Sequence, residues 1–302
     1  MMVQQSGFRI KGPGAISQKP ETGKQGSGEK AKEKLERLEG ILHDMGSVLV
    51  AFSGGLDSTF LLKVASDVLQ GKAVALTAIS PTYPERELKG ARKLARKMGV
   101  KHIFVESNEL IIKNFSDNTD RRCYYCKSEL FKVCTSKASE LGLAFVVDGS
   151  NMDDLNDFRP GRDAASEFNI RSPLVEVCLS KDETRELSRE MGLETWDKPS
   201  FACLSSRFPY GTRITEERLD MVAACEETLA ELGFRQFRVR YHDSIARIEV
   251  EPSELGYFLK EEIRRKVMER FKEAGFAYIT LDLKGYRTGS MNEVIGGVKV
   301  LT

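Results

Sequence analysis

Four short apolar segments, separated by helical patterns, constrain the fold of this chain more than any other feature. Each segment is nearly uninterrupted in apolar residues, and the four lie at residues 48–52, 73–79, 102–105 and 144–147. Helical patterns lie between them, at residues 57–69, 84–98 and 126–141. Strands that are apolar on both faces are typical of a parallel sheet with helices on its two sides. The sequence therefore predicts an α/β fold.

The chain is predicted to divide into three parts. Residues 1–28 are rich in Gly, Ser, Gln, Lys and Pro without an apolar period, which is typical of a flexible tail. The α/β domain spans residues 29–199 and begins with a charged helix. Residues 200–302 are predicted to form a smaller α+β domain. Its helices are expected near residues 215–232 and 255–274, and its strands near residues 236–241, 246–250 and 278–283.

Charge and cysteine content exclude several classes of protein. The 302 residues contain 46 Lys and Arg against 45 Asp and Glu, so a net charge of +1 gives no bulk attraction for nucleic acid or an anionic membrane. No segment approaches the roughly 18 continuous apolar residues of a membrane span. Six cysteines are too few for a disulfide scaffold at this length, and the start of the chain lacks a secretory pattern. We expect a cytoplasmic protein with reduced thiols and neither nucleic acid nor membrane as a partner.

A glycine motif directly follows the first apolar segment. It reads Ser53-Gly54-Gly55-Leu56-Asp57-Ser58 and opens a helical pattern. Glycines let the backbone approach an anion closely, while the free amides of the helix start and the two serine hydroxyls can bind phosphate. The motif is neither a Walker A loop nor a dinucleotide-binding Gly-x-Gly-x-x-Gly pattern. It predicts a phosphate site, with an ordinary strand-to-helix turn as the alternative.

The six cysteines fall into two groups. Cys123 and Cys126 form a Cys-x-x-Cys pair in a polar segment whose basic residues favour thiolates, and Cys203 lies in a second polar segment at the domain boundary. Three loop cysteines without a fourth ligand suggest an iron–sulfur cluster with one open iron. Zinc with an outside ligand and a redox disulfide within the pair are the alternatives. The remaining three follow apolar stripes or an apolar segment and are predicted to be small core residues: Cys134, Cys178 and Cys225.

Further motifs follow in a fixed order along the chain. They are Arg122-Cys-Tyr-Tyr-Cys-Lys127, Asp148-Gly-Ser-Asn151, Arg171-Ser-Pro-Leu174, Lys198-Pro-Ser-Phe-Ala-Cys-Leu-Ser-Ser-Arg-Phe-Pro-Tyr-Gly211 and Arg238-Val-Arg240. The glycine motif resembles the PP-loop of the ATP pyrophosphatases, and the whole order resembles the LarE family of ATP-dependent sulfur transferases. The resemblance implies a Rossmann-like PP-loop domain that cleaves ATP between its α and β phosphates.

The resemblance also implies a substrate and a source of sulfur. The family adenylates a carboxylate of pyridinium-3,5-biscarboxylic acid mononucleotide and inserts sulfur to give a thiocarboxylate, in nickel-pincer cofactor biosynthesis. ATP and Mg²⁺ are the implied cofactors. Because Cys123 and Cys126 accompany Cys203, a [4Fe-4S] cluster on these three cysteines is implied as the holder of the transferred sulfide, whose origin stays open. A homo-oligomer is implied as well. A sacrificial Cys203 and a PP-loop tRNA thiolase are the alternatives.

The predicted site residues form three groups. ATP is predicted to contact Ser53, Gly54, Gly55, Asp57, Ser58, Ala78, Gly149 and Asp153, with Asp57 also holding Mg²⁺. The predicted catalytic residues are Cys203, Asp57, Ser206 and Arg207. Arg238 and Arg240 are predicted to bind the substrate phosphate, because they alternate with apolar residues and share one strand face. A solvated cationic face is the alternative for this arginine pair, and an acidic turn that caps the next helix is the alternative for residues 148–154.

Overall fold

The predicted parallel sheet is present in the computed structural model, which describes residues 25–156 and 160–292. Its strands are β1 (Val48–Ala51), β2 (Ala73–Ile79), β3 (Lys101–Glu106) and β4 (Phe145–Asp148). They lie in the order β3-β2-β1-β4, and each neighbouring pair is parallel. The order of the chain reverses at β1, between β2 and β4. The carboxyl end of β1 is therefore where a sheet of this kind places a ligand.

Helices cover both faces of this sheet. In this part of the described chain they are α1 (Gln25–Met45), α2 (Leu56–Leu69), α3 (Glu85–Lys97), α4 (Lys113–Ser116), α5 (Arg122–Glu140), α6 (Gly161–Glu167), α7 (Pro173–Glu176) and α8 (Lys181–Glu190). On β1, Val48 and Val50 pack with α1, α2, α3 and α8, whereas Leu49 packs with α5 and α6. All three side chains are fully buried. The apolar character of the strand thus reflects burial on both of its faces.

A second, smaller sheet lies in the C-terminal part of the chain. It consists of β5 (Phe237–His242), β6 (Ile245–Val250) and β7 (Tyr278–Leu281), with β5 antiparallel and β7 parallel to β6. Two helices, α9 (Glu216–Glu231) and α10 (Glu261–Glu273), pack with it. Val222, Val239, Ile248 and Phe271 are almost completely buried in this core. The alternation of helices and strands predicted after residue 200 is present.

The core of the small sheet extends back to a segment of the first part. Phe115 of α4 is 1% exposed and packs in this core, and Tyr125 and Cys126 of α5 lie against it. The beginning of α5 is therefore positioned by residues more than 80 positions later in the chain. The domain boundary at residue 199 stays a prediction.

The structure corrects two predictions about cysteines. Cys123 and Cys126 lie near the beginning of α5, which starts at Arg122, and not in a loop before a helix that starts at residue 126. Cys178 is exposed, so its prediction as a core residue is wrong. It directly follows the turn after α7 and has a φ of 56°, which directs the side chain outwards. Cys134 and Cys225 are fully buried, as predicted.

Two further predictions concern the N-terminal tail and membrane-spanning helices. The predicted tail lies outside the described residues up to position 24, and α1 begins at Gln25. Within residues 25–156 and 160–292, no helix combines the length and the apolar composition needed to cross a membrane.

Candidate functional site

The glycine motif connects the carboxyl end of β1 to the start of α2. The hydroxyl oxygens of Ser53 and Ser58 lie 3.0 Å apart, and the Gly55 amide donates to Ser53 Oγ over 3.4 Å. Within the described residues, no side chain caps the start of α2. The amides of its first turn, at the positive end of the helix dipole, are therefore directed towards the place where an anion would lie.

Gly54 is the glycine on which the shape of this loop depends most. Its φ is 66°, and a Cβ at this position would lie 3.0 Å from both Cα and Cβ of Ala91 in α3. Gly55 has a φ of −78°, and a Cβ there would meet only Ser53 Oγ, at 3.4 Å. The left-handed conformation and the close contact with α3 therefore require glycine at position 54.

Asp57 of the glycine motif contacts the segment that follows the carboxyl end of β4. Its Oδ1 accepts a hydrogen bond of 3.0 Å from Asn151 Nδ2. Burial raises the pKa of Asp57, and the Asn151 hydrogen bond and the nearby Lys181 charge oppose this shift. At neutral pH a carboxylate held partly out of water, next to a phosphate-binding turn, has the charge and the oxygen chemistry that Mg²⁺ prefers. The residues present therefore fit the implied metal ion.

Gly149 brings β4 against the start of α2. A Cβ on Gly149 would lie 2.8 Å from the backbone nitrogen of Ser58, so a larger residue would displace the turn. Next to it, Asp148 Oδ1 accepts a hydrogen bond of 2.7 Å from Ser172. The two neighbouring strand ends thus form one edge of the predicted ATP site.

The other two predicted ATP contacts lie at the margin of this edge. Ala78 is half-buried near the end of β2, the strand beside β1. Asp153 accepts a hydrogen bond of 2.6 Å from the Lys181 amide at the start of α8. Asp153 therefore caps a helix, as the alternative for the acidic turn had it, but the helix is α8 and not the next one along the chain. Contact of these two residues with ATP stays a prediction.

Two lysines at this site were missed by the sequence analysis. Lys198 Nζ donates to the Gly54 carbonyl over 2.9 Å and pairs with Glu87 at 2.8 Å. Lys181 Nζ donates to Ser200 Oγ over 3.1 Å and lies close enough to Asp57 to lower its pKa. Neither lysine belongs to a periodic pattern, and their neighbours lie more than 100 residues away in several cases. Only the fold shows that they lie beside the glycine motif at residues 53–58, which is called the phosphate turn below.

The segment at residues 198–214, called the Cys203 segment below, packs directly against the α/β part of the chain. It includes a 3-10 helix at Leu204–Arg207. The Leu204 amide donates to the Thr82 carbonyl over 2.9 Å, and the rings of Phe201 and Tyr83 meet edge to face with centroids 5.8 Å apart. Tyr83 in turn donates its hydroxyl to the Ser53 carbonyl. These contacts join the Cys203 segment to the phosphate turn.

The thiol of Cys203 is also a neighbour of Cys123 and Cys126. Burial, and secondly the Cys203 thiol, raise the pKa of Cys126, and the pKa of the exposed Cys123 is raised as well. Arg122 and Lys127 oppose the shift at Cys123 but do not reverse it. The basic neighbours therefore favour the Cys123 thiolate, as predicted, although the net shift of its pKa is upward.

The fit of these residues to an iron–sulfur cluster rests on their chemistry. Within the described residues, no three His, Cys, Asp or Glu side chains stand in an arrangement ready to bind a metal ion. Three neighbouring thiols nevertheless provide the soft ligands that such a cluster requires. Beside them, Glu109 Oε2 and Arg122 Nε are buried without a hydrogen-bond partner in the described part of the chain. Buried polar atoms without partners are typical of a site that lacks its ligand.

The predicted arginines form a buried cluster next to the Cys203 segment. Arg207 is fully buried and forms two hydrogen bonds with the Glu226 carboxylate, of 2.8 and 2.9 Å. It also donates to Ser206 Oγ over 2.8 Å and to the Ala202 carbonyl over 2.7 Å. Glu226 was missed by the sequence analysis, because it lies within an ordinary helical pattern. Arg207 thus holds the segment around Cys203 in place.

Arg238 and Arg240 are both buried in β5, so their alternative interpretation as a solvated cationic face is wrong. Arg240 pairs with Glu249 Oε2 at 2.8 Å and donates to the Ser206 carbonyl over 3.0 Å. Arg238 donates to the Phe237 and Ser200 carbonyls, each over 2.6 Å. Burial and the nearby Arg207 charge lower the pKa of Arg238 to about 10. The cluster therefore has more positive charge than its carboxylates neutralise.

Comparison with known proteins identifies the family. The asparagine synthase family matches residues 41–121, which contain β1 to β3 and the glycine motif. An uncharacterised protein of Synechocystis sp. is 45% identical over 87% of this chain and 98% of its own length. A tRNA-specific 2-thiouridylase of Rickettsia felis is 27% identical over about half of each chain. The pyridinium-3,5-bisthiocarboxylic acid mononucleotide synthase of Lactiplantibacillus plantarum is 38% identical over 89% of this chain and 97% of its own length. The chain therefore belongs to the LarE family of ATP-dependent sulfurtransferases, within the PP-loop superfamily.

Proposed function

We propose that this enzyme adenylates a carboxylate of pyridinium-3,5-biscarboxylic acid mononucleotide and replaces the AMP with sulfur, in nickel-pincer cofactor biosynthesis. One observation carries the proposal. The segment from Lys198 to Arg207 contacts the phosphate turn at its beginning, through the Lys198–Gly54 hydrogen bond, and places the Cys203 thiol beside the Cys-x-x-Cys pair. A single segment therefore connects the site of adenylation with the site of sulfur supply.

The first step uses the carboxyl edge of the parallel sheet. The amides at the start of α2 and the hydroxyls of Ser53 and Ser58 bind the phosphates of ATP, and Asp57 holds Mg²⁺ on them. The substrate carboxylate attacks the α phosphorus, the bond to the β phosphate breaks, and pyrophosphate leaves. Lys181 is the cation beside Asp57 that can neutralise the departing pyrophosphate. The product is a mixed anhydride, in which AMP is a good leaving group.

The second step forms the carbon–sulfur bond. Cys123, Cys126 and Cys203 would hold a [4Fe-4S] cluster, and this group would supply sulfide-level sulfur as the nucleophile. Attack of sulfur on the activated carbonyl releases AMP and leaves a thiocarboxylate. Lys127 of α5 supports this proximity, because its Nζ lies 3.7 Å from Asp148 Oδ2 at the end of β4. The helix α5, which carries Cys123 and Cys126 and is called the cysteine helix below, is thus adjacent to the carboxyl edge of the parallel sheet.

The phosphate of the substrate nucleotide is proposed to bind at Arg238 and Arg240. Arg238 supports this proposal most strongly, because its guanidinium bonds to carbonyl oxygens and its lowered pKa reflects burial and the repulsion of Arg207. An incoming phosphate would remove this excess of positive charge. Arg240 is already paired with Glu249, so it can bind the substrate phosphate only if its guanidinium donates to both acceptors at once. Ser206 connects Arg240, which donates to its carbonyl, with Arg207, which donates to its hydroxyl.

The proposed function is tested by a direct assay with two candidate substrates. Anaerobic protein with a reconstituted cluster is mixed with ATP, Mg²⁺, sulfide and either the carboxylated pyridinium mononucleotide or unmodified tRNA. We expect pyrophosphate release and a thiocarboxylate product, identified by mass spectrometry, only with the mononucleotide. Thiolated tRNA, with binding that weakens steeply as salt increases, would instead show the thiolase. Dehydroalanine at position 203 after one turnover would show a sacrificial cysteine.

The role of the cysteines is tested by iron analysis. Cys123→Ser, Cys126→Ser and Cys203→Ser should each lower bound iron and acid-labile sulfide, because each variant removes a thiolate ligand. Cys134→Ser is the matched control: the residue lies on the same helix as the pair but is fully buried in the core of the parallel sheet. It should lose stability and keep its iron. Equal loss of iron from all four variants would contradict the three-cysteine site.

The proposal includes two properties of the protein in the cell. We infer a cytoplasmic location, because the cysteines are free and the proposed chemistry requires reduced thiols. We also infer a homo-oligomer. Tyr278, Leu259 and Leu283 are large apolar side chains that stand 64% or more exposed in the C-terminal part of the chain. These side chains would be covered in an oligomer if they form one contiguous patch.

A further inference from the structure

The segment before the cysteine helix and the segment that contains Cys203 are joined by their backbones. The Gly211 amide donates to the Asn118 carbonyl over 3.0 Å, and the Ile214 amide donates to the Ser116 carbonyl over 2.8 Å. These two bonds lie several residues away from the thiols on both segments. They bring the segments together without determining where Cys203 lies relative to α5.

Asn118 forms the next layer of contacts between the two segments. Its side chain is fully buried, and its Nδ2 donates to the Pro209 carbonyl over 2.7 Å and to the Phe208 carbonyl over 3.3 Å. Its φ is 55°, a conformation that asparagine tolerates better than most residues. Both amide hydrogens are thus directed at consecutive carbonyls of the Cys203 segment.

The same side chain connects to the beginning of the cysteine helix. Asn118 Oδ1 accepts a hydrogen bond of 2.5 Å from Arg122 Nη1. Arg122 Nη1 also donates to the Ser205 carbonyl over 2.8 Å, and the hydroxyl of Ser205 lies 2.9 Å from Cys203 Sγ. Arg122 directly precedes Cys123 in the sequence. A continuous path of hydrogen bonds therefore runs from Asn118 through Arg122 and Ser205 to Cys203. Because Arg122 is bonded to Cys123 in the chain, the path connects Cys203 with the Cys-x-x-Cys pair.

We propose that Asn118, acting through Arg122, is a positioning residue that sets the distance between Cys203 and the Cys-x-x-Cys pair. This inference rests on the proposed role of the three cysteines and specifies how the chain brings them together. An apolar residue at position 118 would leave the Phe208 carbonyl without its donor, and it would remove one of the two acceptors of Arg122 Nη1. Asparagine is suited to the position because it both donates and accepts, whereas aspartate can only accept when ionised.

The proposal is tested by cross-linking thiols in the cluster-free protein, which does not require the cluster to exist. Reduced protein in chelator is treated with a short bis-maleimide, and cross-links between Cys203 and Cys123 or Cys126 are quantified by mass spectrometry. Asn118→Gly keeps the backbone conformation and removes the side chain, whereas Asn118→Asp keeps the size and the contact with Arg122 but loses the donor. We expect cross-linking to slow by about tenfold in both variants, since each loses the two hydrogen bonds from Asn118 Nδ2 to the Cys203 segment.

Two controls separate positioning from a general loss of structure. Asn169→Gly removes another asparagine of positive φ, which is exposed at the turn after α6, and should cross-link like the wild type. Labelling of the exposed Cys178, and pyrophosphate release with ATP, Mg²⁺ and the carboxylated pyridinium mononucleotide, should stay within about twofold in the Asn118 variants, because neither uses this path. Iron bound after reconstitution should fall together with cross-linking.

The outcomes distinguish this inference from the proposed function. Cross-linking at the wild-type rate in Asn118→Asp would overturn the positioning role, as would an equal loss of pyrophosphate release. A wild-type protein that binds no iron, together with slowed cross-linking in both Asn118 variants, would instead contradict the cluster and leave Asn118 as the positioning residue.

Discussion

Asp57→Asn should abolish pyrophosphate release while making the ligand-free protein more stable. Removal of one preorganised electrostatic interaction from an active site costs about 10²–10³ in rate, and we expect the loss of a metal-binding carboxylate to exceed this range. The gain in stability follows from the pKa of Asp57, which burial raises in the folded protein. Ionisation of such a group at neutral pH opposes folding. Asparagine has the same shape, can still accept the Asn151 hydrogen bond and carries no charge.

The sign of this effect can be checked by measuring stability against pH. A carboxyl group with a raised pKa in the folded state stabilises the protein fully below its unfolded pKa, and this contribution is lost as pH rises through the folded pKa. The melting temperature of Asp57→Asn should therefore exceed that of the wild type at pH 7, and the difference should disappear near pH 3.8, the ordinary value for aspartate. The measurements are a pyrophosphate assay and thermal unfolding over this pH range.

Asp67→Asn is the matched control for Asp57. Asp67 lies on the same helix, and its half-exposed carboxylate pairs with Lys63 at 2.6 Å. Because a surface ion pair contributes about 0–1 kcal/mol, this variant should change neither rate nor stability appreciably. A stable Asp57→Asn protein that releases pyrophosphate at the wild-type rate would rule out Asp57 as the Mg²⁺ ligand.

Arg207→Ala should destabilise the protein by about 3–5 kcal/mol, the usual cost of removing one partner of a buried ion pair. Glu226 would keep only its bond with the Val239 amide, of 3.0 Å, and would remain buried with an uncompensated charge. The Ala202 carbonyl would also lose its donor. Urea unfolding measures the loss. Arg235→Ala provides the comparison, because Arg235 forms an exposed pair with Asp197 at the same 2.8 Å and should cost about 1 kcal/mol or less.

The effect of Arg207→Ala should depend on pH. Burial alone would raise the pKa of Glu226, but the Arg207 charge and its hydrogen bonds hold it below the ordinary value of 4.5. Such a pair stabilises the protein above the unfolded pKa, and the contribution is lost as pH falls through the folded pKa. The difference between wild type and variant should therefore be largest near neutral pH and should shrink below about pH 4.5. A difference that stays constant would show that packing, and not charge, causes the loss.

Local patterns were sufficient to predict the parallel sheet and the phosphate turn. Burial on both faces makes each strand continuously apolar, and the glycine motif has its meaning within six consecutive residues. Cys178 was placed wrongly by the same reasoning. The apolar residues before it form a one-turn helix, and the conformation of Cys178 at the end of that turn directs its side chain away from the core.

The supporting residues of the site could not be predicted, because their partners are distant in sequence. Lys198 meets Gly54 across 144 positions, and Asn118 meets Pro209 across 91. Such polar residues lie in segments without a regular repeat of apolar residues, so the sequence does not show where their side chains point. The start of α5 was missed for a related reason: its first residues are polar, and its N-terminal position depends on contacts with the Cys203 segment.

The burial of Phe115 in the core of the small sheet has a consequence for biosynthesis of the protein. All strands of the parallel sheet have left the ribosome before α9, β5 and α10 are made, and domains generally fold as they emerge. Phe115 and the start of α5 have no complete partner surface until Phe271 and Phe276 are available. The ATP-binding part can therefore fold while the chain is still growing, whereas the core against which Cys126 packs is complete only in the finished chain. We therefore predict that the proposed cluster would be loaded after translation, and that a nascent chain stalled before residue 271 binds ATP but no iron.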